Sequence, residues 1–112
     1  MNDQLKRTAN TTKALAGKTF EYTYSSGMKA RLEIGQDTLH WTILAGPNTG
    51  EEGTNDYLAR EIAEGIHLIQ WFEPPINATI TLVINEVAGS ISSSEAYEGE
   101  RVFDTAVIHT SS

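Results

Sequence analysis

Alternation of apolar and polar residues with a period of two runs along the chain from Gly17 onward, and it predicts β-strands. Residues 20–24 are rich in β-forming side chains, and residues 29–34 alternate between charged and apolar positions. Gly, Pro, Asn and Asp cluster between such segments and indicate turns. The predicted strands, by number, are 20–24, 29–34, 38–44, 57–62, 66–72, 77–85, 89–94 and 102–110.

About eight short strands at regular spacing predict an all-β fold. We expect a small antiparallel up-and-down β-barrel, lipocalin-like, because short turns let successive strands pair and closure removes exposed sheet edges. Residues 45–55, rich in Gly, Asn, Thr and Glu, are predicted to be a loop. Residues 1–16 are polar with weak helical periodicity, so we expect an N-terminal arm or short helix before a single barrel domain at 17–112. Such a barrel holds its own side chains or one small ligand.

Strand alternation also indicates which side chains share a face. Tyr22 and Tyr24 lie on one face of their strand, and Trp41 and Ile43 share a face of another. The strand at 66–72 is ambiguous, because neither of its faces is plainly polar. One face would carry Ile66, Leu68, Gln70 and Phe72, and the other would carry His67, Ile69, Trp71 and Glu73.

The second of these faces would place Glu73 inside the barrel near the tyrosine pair. A carboxyl in an apolar barrel has a raised pKa and could act as a general acid near neutral pH. Tyrosine hydroxyls could hold an oxygen of a substrate. The alternative is structural, because Tyr-x-Tyr is common on strands and a glutamate before two prolines commonly lies at a hydrated rim. Both interpretations stay open at this point.

Charge and composition exclude several classes of function for this chain. The 112 residues include no cysteine, which excludes a disulfide scaffold, a zinc–thiolate site and a thiol nucleophile. Net charge is −7, divided into +3 for residues 1–18 and −10 for the remainder. An acidic barrel argues against nucleic-acid binding and against docking on an anionic membrane. The sequence contains no long apolar run, so we expect a cytoplasmic location.

Other catalytic signals are weak. His40, His67 and His109 fall on three different predicted strands, and with Glu73 they could form a metal site only if the fold brought them together. The glycine-rich stretch at 46–53 lacks the Lys-Ser/Thr ending of a phosphate-binding loop. We therefore expect no metal and no cofactor.

Two segments resemble the bacterial phenolic acid decarboxylases. Residues 17–27, GKTFEYTYSSG, are similar to the opening strand of those enzymes, and residues 71–75, WFEPP, resemble their Trp-x-Glu-Pro segment. The same pattern is shared by the wider group of MoaF-like proteins, which are small lipocalin-like barrels. The resemblance runs from about Gly17 to Ile91.

The resemblance implies roles for three residues and also shows departures. Tyr22 and Tyr24 match the paired tyrosines that grip the polar end of the substrate, and Glu73 matches the glutamate that handles the proton during loss of carbon dioxide. Ala30 and Trp41 stand where the decarboxylases have further tyrosines. Residues 47–52 contain no basic residue where those enzymes have an arginine, so a neutral or weakly acidic ligand is expected. The resemblance also suggests a homodimer.

These observations predict a small-molecule-binding barrel. The first hypothesis is a cofactor-independent acid/base enzyme, of lyase, isomerase or cyclase type, acting on a small aromatic or unsaturated metabolite. Its predicted catalytic residues are Glu73, Tyr22 and Tyr24, and its ligand-binding wall would be formed by Trp41, Ile43, His67, Ile69 and Trp71. A second hypothesis is a non-catalytic carrier or sensor of an apolar ligand. A third is a barrel filled by its own side chains that acts through a dimer face.

Overall fold

The structure, a computed structural model, describes residues 11–112. These residues form nine strands and one short 3₁₀ turn, which spans Pro74–Ile76. The strands are β1 (Thr19–Tyr24), β2 (Lys29–Ile34), β3 (Thr38–Ala45), β4 (Glu52–Asp56), β5 (Leu58–Ala63), β6 (Ile66–Glu73), β7 (Ala78–Asn85), β8 (Ser90–Tyr97) and β9 (Glu100–Ser111).

All nine strands belong to one antiparallel sheet, in the order β4-β3-β2-β1-β9-β8-β7-β6-β5. Apart from β4 and β5, strands that follow one another in sequence lie side by side, and β1 pairs with β9, the last strand. The predicted antiparallel up-and-down barrel is therefore confirmed. Only Tyr57 separates β4 from β5, and within residues 11–112 these two strands form the unpaired ends of the sheet. We call the gap between these two unpaired strands, β4 and β5, the seam.

Strand β4 corrects the sequence-based expectation, which placed residues 45–55 in a loop. The segment Glu52–Asp56 has no apolar side chain, and Gly, Asn and Asp are poor strand formers. Pairing with β3 holds it instead, with Gly53 opposite Trp41. The ring of His40 on β3 also bonds Thr54 and Glu52 on β4, both at 2.7 Å. Cross-strand contacts thus form this strand where hydrophobic alternation is missing.

Apolar side chains from nearly every strand fill the interior and form one core. Phe20, Leu32, Leu82 and Ile91 are among its fully buried members. Leu15 is also fully buried, so the segment expected to be an N-terminal arm contributes to the core. Most of that predicted arm, residues 1–10, lies outside the described part of the chain.

Candidate functional site

A small cavity opens at one end of the barrel, beneath the segment that joins β3 to β4 and beside the 3₁₀ turn. Its volume is about 170 Å³. An apolar cavity of about 150 Å³ can hold a benzene molecule, whereas drug-sized ligands need roughly 300 Å³ or more. The lining residues are Tyr22, Tyr24, Met28, Ala30, Trp41, Ile43, Asn48, Glu51, Trp71, Glu73, Ile76, Ile80 and Glu95.

Strand β6 turns the second of its two predicted faces, the one that carries Trp71 and Glu73, into the barrel. This resolves the ambiguity in its sequence. His67, Ile69 and Trp71 are buried, and Glu73 is half-buried at the end of the strand. Phe72, on the opposite face, is 47% exposed. The inward face is thus the one that carries the predicted site residues.

The structure brings six of the eight predicted site residues together around this cavity, and they are Tyr22, Tyr24, Trp41, Ile43, Trp71 and Glu73. Ile69 and His67 share their strand face but do not line the cavity. Ile69 is fully buried in the core below it. His67 is six residues from Glu73, a separation of about 20 Å along an extended strand.

His67 belongs to a separate polar group at the other end of the barrel. Its Nε2 lies 3.5 Å from Glu86 Oε1, and the Nζ of Lys18 lies 2.6 Å from Glu86 Oε2. His67 Nδ1 is buried and has no hydrogen-bond partner within residues 11–112. The ring is therefore part of the core packing at that end.

Tyr22 and Tyr24 form one wall of the cavity as an edge-to-face pair. Their ring centroids are 5.5 Å apart and the ring planes meet at 82°. The Tyr24 side chain interacts with the hydroxyl of Tyr22 and with Ser93, and both interactions lower the pKa of Tyr24 against the larger effect of burial. Burial raises the pKa of Tyr22 well above its usual range, and burial also raises the pKa of Tyr24. Both phenols are therefore neutral hydrogen-bonding groups at neutral pH.

Glu73 is held in place by its own strand. The Nε1–H of Trp71 donates a hydrogen bond of 2.9 Å to Glu73 Oε2. Residues two apart on a strand point to the same side, so the indole and the carboxyl share the inward face of β6. Pro74 then begins the 3₁₀ turn, and a proline cannot donate to the strand ladder. Glu73 is consequently fixed at the open end of the cavity.

Glu95 is a second cavity carboxyl, and the strand pattern of the sequence does not predict it. The predicted strand stopped at residue 94, whereas β8 continues to Tyr97. Alternation from the buried Ile91 through Ser93 points Glu95 inward, opposite Ile80 on β7. Burial raises the pKa of the Glu95 carboxyl, and the negative charge of Glu73 raises it further. Extending the same alternation by one residue would have found it.

The lining contains three carboxyls, from Glu51, Glu73 and Glu95, and among the described residues no Lys, Arg or His. Arg60 lies exposed on β5 and outside the cavity, so it does not supply the cation that the decarboxylases use. A cavity with this charge disfavours an anionic ligand.

A cleft along the seam leads to the same opening. Its volume is about 860 Å³, and it shares Trp41, Glu51, Glu73 and Ile76 with the cavity. Asn55 spans it: the Nε1–H of Trp41 donates to Asn55 Oδ1 at 3.0 Å, and Asn55 Nδ2 donates to the carbonyl oxygen of Phe72 at 2.9 Å. These hydrogen bonds link β3, β4 and β6 where the sheet itself does not close.

Gly53 is expected to be essential to the position of Trp41. A Cβ at residue 53 would lie 2.7 Å from Trp41 Cζ2 and 2.9 Å from its Nε1. Gly53→Ala should therefore displace the indole, break its bond to Asn55 and lower the free energy of unfolding by about 1–3 kcal/mol. Urea denaturation followed by tryptophan fluorescence measures both effects. Asp56→Ala, at the exposed end of the same strand, is the control, and equal losses in the two variants would contradict the assignment.

The histidines do not come together. His40 bonds Thr54 and Glu52, His67 lies near Glu86, and His109 Nε2 is 2.6 Å from the hydroxyl of Thr23. Within residues 11–112, no group of three His, Cys, Asp or Glu side chains has the arrangement of a metal site. In the same residues, no helix is long and apolar enough to span a membrane.

The comparisons with known proteins agree with this architecture. The family model described as the MoaF N-terminal domain matches residues 6–96. The chain belongs to this MoaF family. The match covers β1 to β8 nearly to its end, and so includes every residue that lines the cavity. The MoaF-like resemblance drawn from the sequence is thereby confirmed.

Solved structures show the same fold. Seventeen chains match. One is a crystal structure from Burkholderia vietnamiensis, of a protein provisionally named a beta-lactamase. It superposes with a TM-score of 0.78 at 24% identity over 85% of this chain and 93% of the other. That identity supports a shared fold and nothing about the reaction. No curated protein sequence matches this MoaF-family chain.

Proposed function

We propose that this MoaF-family barrel binds a small aromatic or unsaturated molecule and transfers a proton within it. The observation that carries the proposal is the placement of Glu73 and Glu95 in one cavity with Tyr22 and Tyr24. Proton transfer without a cofactor covers lyase, isomerase and cyclase reactions, which share one requirement: an acid and a base on either side of the reacting atoms.

The two carboxyls differ in their surroundings, and this supports separate roles. Glu95 has a raised pKa because of burial and the nearby charge of Glu73, so it is the group that can hold a proton. Glu73 accepts the indole N–H of Trp71 through Oε2, which leaves Oε1 available to take up a proton. Unequal environments for paired acids are the usual origin of a separate acid and base. The tyrosine hydroxyls would orient an oxygen of the substrate.

The cavity walls support a flat, unsaturated ligand. Four aromatic rings, from Tyr22, Tyr24, Trp41 and Trp71, surround a space about the size of one ring. Trp41 replaces a decarboxylase tyrosine, and no lining residue among those described is basic. The proposal therefore does not extend to decarboxylation of a hydroxycinnamate, because the lining carboxylates would repel the carboxylate of that substrate.

The proposal predicts saturable quenching of tryptophan fluorescence by small phenols, enones and cyclic ketones, because two tryptophans line the cavity. Each compound that binds is then incubated in deuterium oxide and followed by NMR for exchange, isomerisation or cleavage. Glu73→Gln should abolish turnover while retaining binding within about threefold, because its amide cannot take up the proton. Glu33→Gln, an exposed site outside the cavity, is the control.

Two outcomes would contradict parts of the proposal. Full turnover in Glu73→Gln would remove that residue from the proton transfer. Saturable binding without any product or exchange would instead favour the carrier or sensor. This second function is favoured by the described lining, which offers no basic side chain to activate a substrate carboxylate.

A further inference from the structure

We infer that the ligand of this cavity carries a positive charge: a small protonated amine attached to an aromatic or unsaturated group. The inference rests on the proposed small-molecule function and specifies its ligand class. It departs from the expectation of a neutral or weakly acidic ligand, which the sequence alone favoured.

Aromatic rings and carboxyls line the same cavity. Tyr22 and Trp71 are buried, and Tyr24 and Trp41 pack partly exposed against the same core. Aromatic rings attract cations through their negative faces, and several rings around one space form the usual cage for an ammonium group. The same rings also accept the unsaturated part of the ligand.

Among the described residues, no basic side chain lines the cavity beside these carboxyls. Glu73 accepts one hydrogen bond from an uncharged indole, and Glu95 has no ion-pair or hydrogen-bond partner among the described residues. Both carboxyls are half-buried, and the charge of Glu73 adds to burial in raising the pKa of Glu95. A carboxylate without a counter-charge in such a place is costly to a folded domain. A ligand cation between them would relieve both the repulsion and part of the desolvation.

The cleft that leads to the cavity is acidic. The seam cleft carries Glu51, Glu52, Asp56 and Glu73 and, within the described residues, no basic side chain. A cleft lined by one sign of charge raises the local concentration of the opposite sign. The field therefore attracts a cation toward the cavity and repels an anion.

Binding of a cation must also depend on pH. The titratable groups that share the cavity with Glu95 are Glu51, Glu73 on β6, and Tyr22 and Tyr24 on β1. Burial and then the charge of Glu73 raise the pKa of Glu95, and burial keeps both tyrosines neutral near pH 7. Because an ammonium prefers the ionised carboxylate, affinity should increase as the pH rises through the raised pKa of Glu95.

The test compares three probes built on the same ring: benzylamine, benzyl alcohol and benzoate. Isothermal titration calorimetry is carried out on the full chain at low salt, between about pH 5 and 8, where an alkylammonium stays protonated. We expect benzylamine to bind about tenfold or more tightly than benzyl alcohol, and benzoate not to bind. Glu95→Gln should lose about tenfold for benzylamine, together with its pH dependence, and leave benzyl alcohol unchanged. Glu33→Gln is the charge-matched control.

The outcomes separate this inference from the function on which it rests. If benzyl alcohol or benzoate binds as tightly as benzylamine, the cationic class is wrong and the small-molecule site stands. If benzylamine fails to bind while neutral phenols or enones bind in the cavity, the cationic class is again wrong and the small-molecule site again stands. If no compound of either set binds, both proposals fail. If Glu95→Gln and Glu33→Gln lower the affinity for benzylamine equally, the effect comes from the overall charge of the protein. That result would contradict a cation site at Glu95.

Discussion

Replacing Phe20 by Ala is expected to lower the free energy of unfolding by about 3–5 kcal/mol, the largest effect of any change considered. Phe20 is fully buried on β1, where the sheet passes from β2 to β9 to close the barrel. Truncating the ring removes its burial and leaves a cavity that the surrounding strands cannot fill. A domain of ordinary stability has only about 5–15 kcal/mol in total, so the variant should be close to unfolding.

Phe103→Ala is the matched control, because Phe103 on β9 is 77% exposed on the outer face. The same truncation there should change the free energy of unfolding by less than about 0.5 kcal/mol. Chemical denaturation monitored by circular dichroism measures both variants. If the two variants lose the same stability, the assignment of inner and outer faces is wrong, and the cavity assignment fails with it.

The double change Glu73→Gln with Glu95→Gln is expected to have the largest effect on function. It keeps the shape of the cavity and removes both central charges, leaving Glu51 at the exposed opening. We expect benzylamine affinity to fall about 100-fold, since each lost charge contact contributes roughly tenfold. Calorimetry of the double variant beside Glu33→Gln with Glu61→Gln, two exposed acids outside the cavity, makes the comparison at equal net charge.

The same variant should change how stability depends on pH. The pKa of Glu95 is raised in the folded protein above its ordinary value of 4.5. Such a group stabilises the fold below its unfolded pKa, and this contribution is lost as the pH rises through the folded pKa. Wild-type stability should therefore decline over that window, and the double variant should decline less. An unchanged pH profile together with unchanged benzylamine affinity would contradict the role given to the two carboxyls.

The sequence contained enough information for the barrel and for most of the cavity. Alternation correctly predicted the strand faces that carry Tyr22, Tyr24, Trp41 and Ile43, because aromatic and apolar side chains recur at every second position of β1 and β3 and pack in or against the core. For β6 the sequence left two possibilities, since both faces hold large apolar groups. In the structure the face that carries Ile69 and Trp71 is packed in the core, and the other face is on the outside of the barrel.

The missed features have physical causes. Strand β4 has no hydrophobic signal, because Gly53 must be small beneath Trp41 and its neighbours bond His40. Glu95 was missed because a run of serines conceals the end of β8 from pattern analysis. His67 was placed correctly on its face but too close to the site, since alternation specifies a side of the sheet and not a distance along it.

The most direct test of the central claim is an NMR titration of the two indole N–H signals with benzylamine. The chain has only two tryptophans, and both line the cavity, so each signal reports from inside it. The Trp71 N–H donates to Glu73, and should therefore report any change at that carboxylate. We predict that both signals shift with one common saturation curve, and that Glu73→Gln with Glu95→Gln moves this curve to about 100-fold higher benzylamine concentration. Saturable binding that leaves both indole signals unmoved would place the ligand elsewhere and contradict the account.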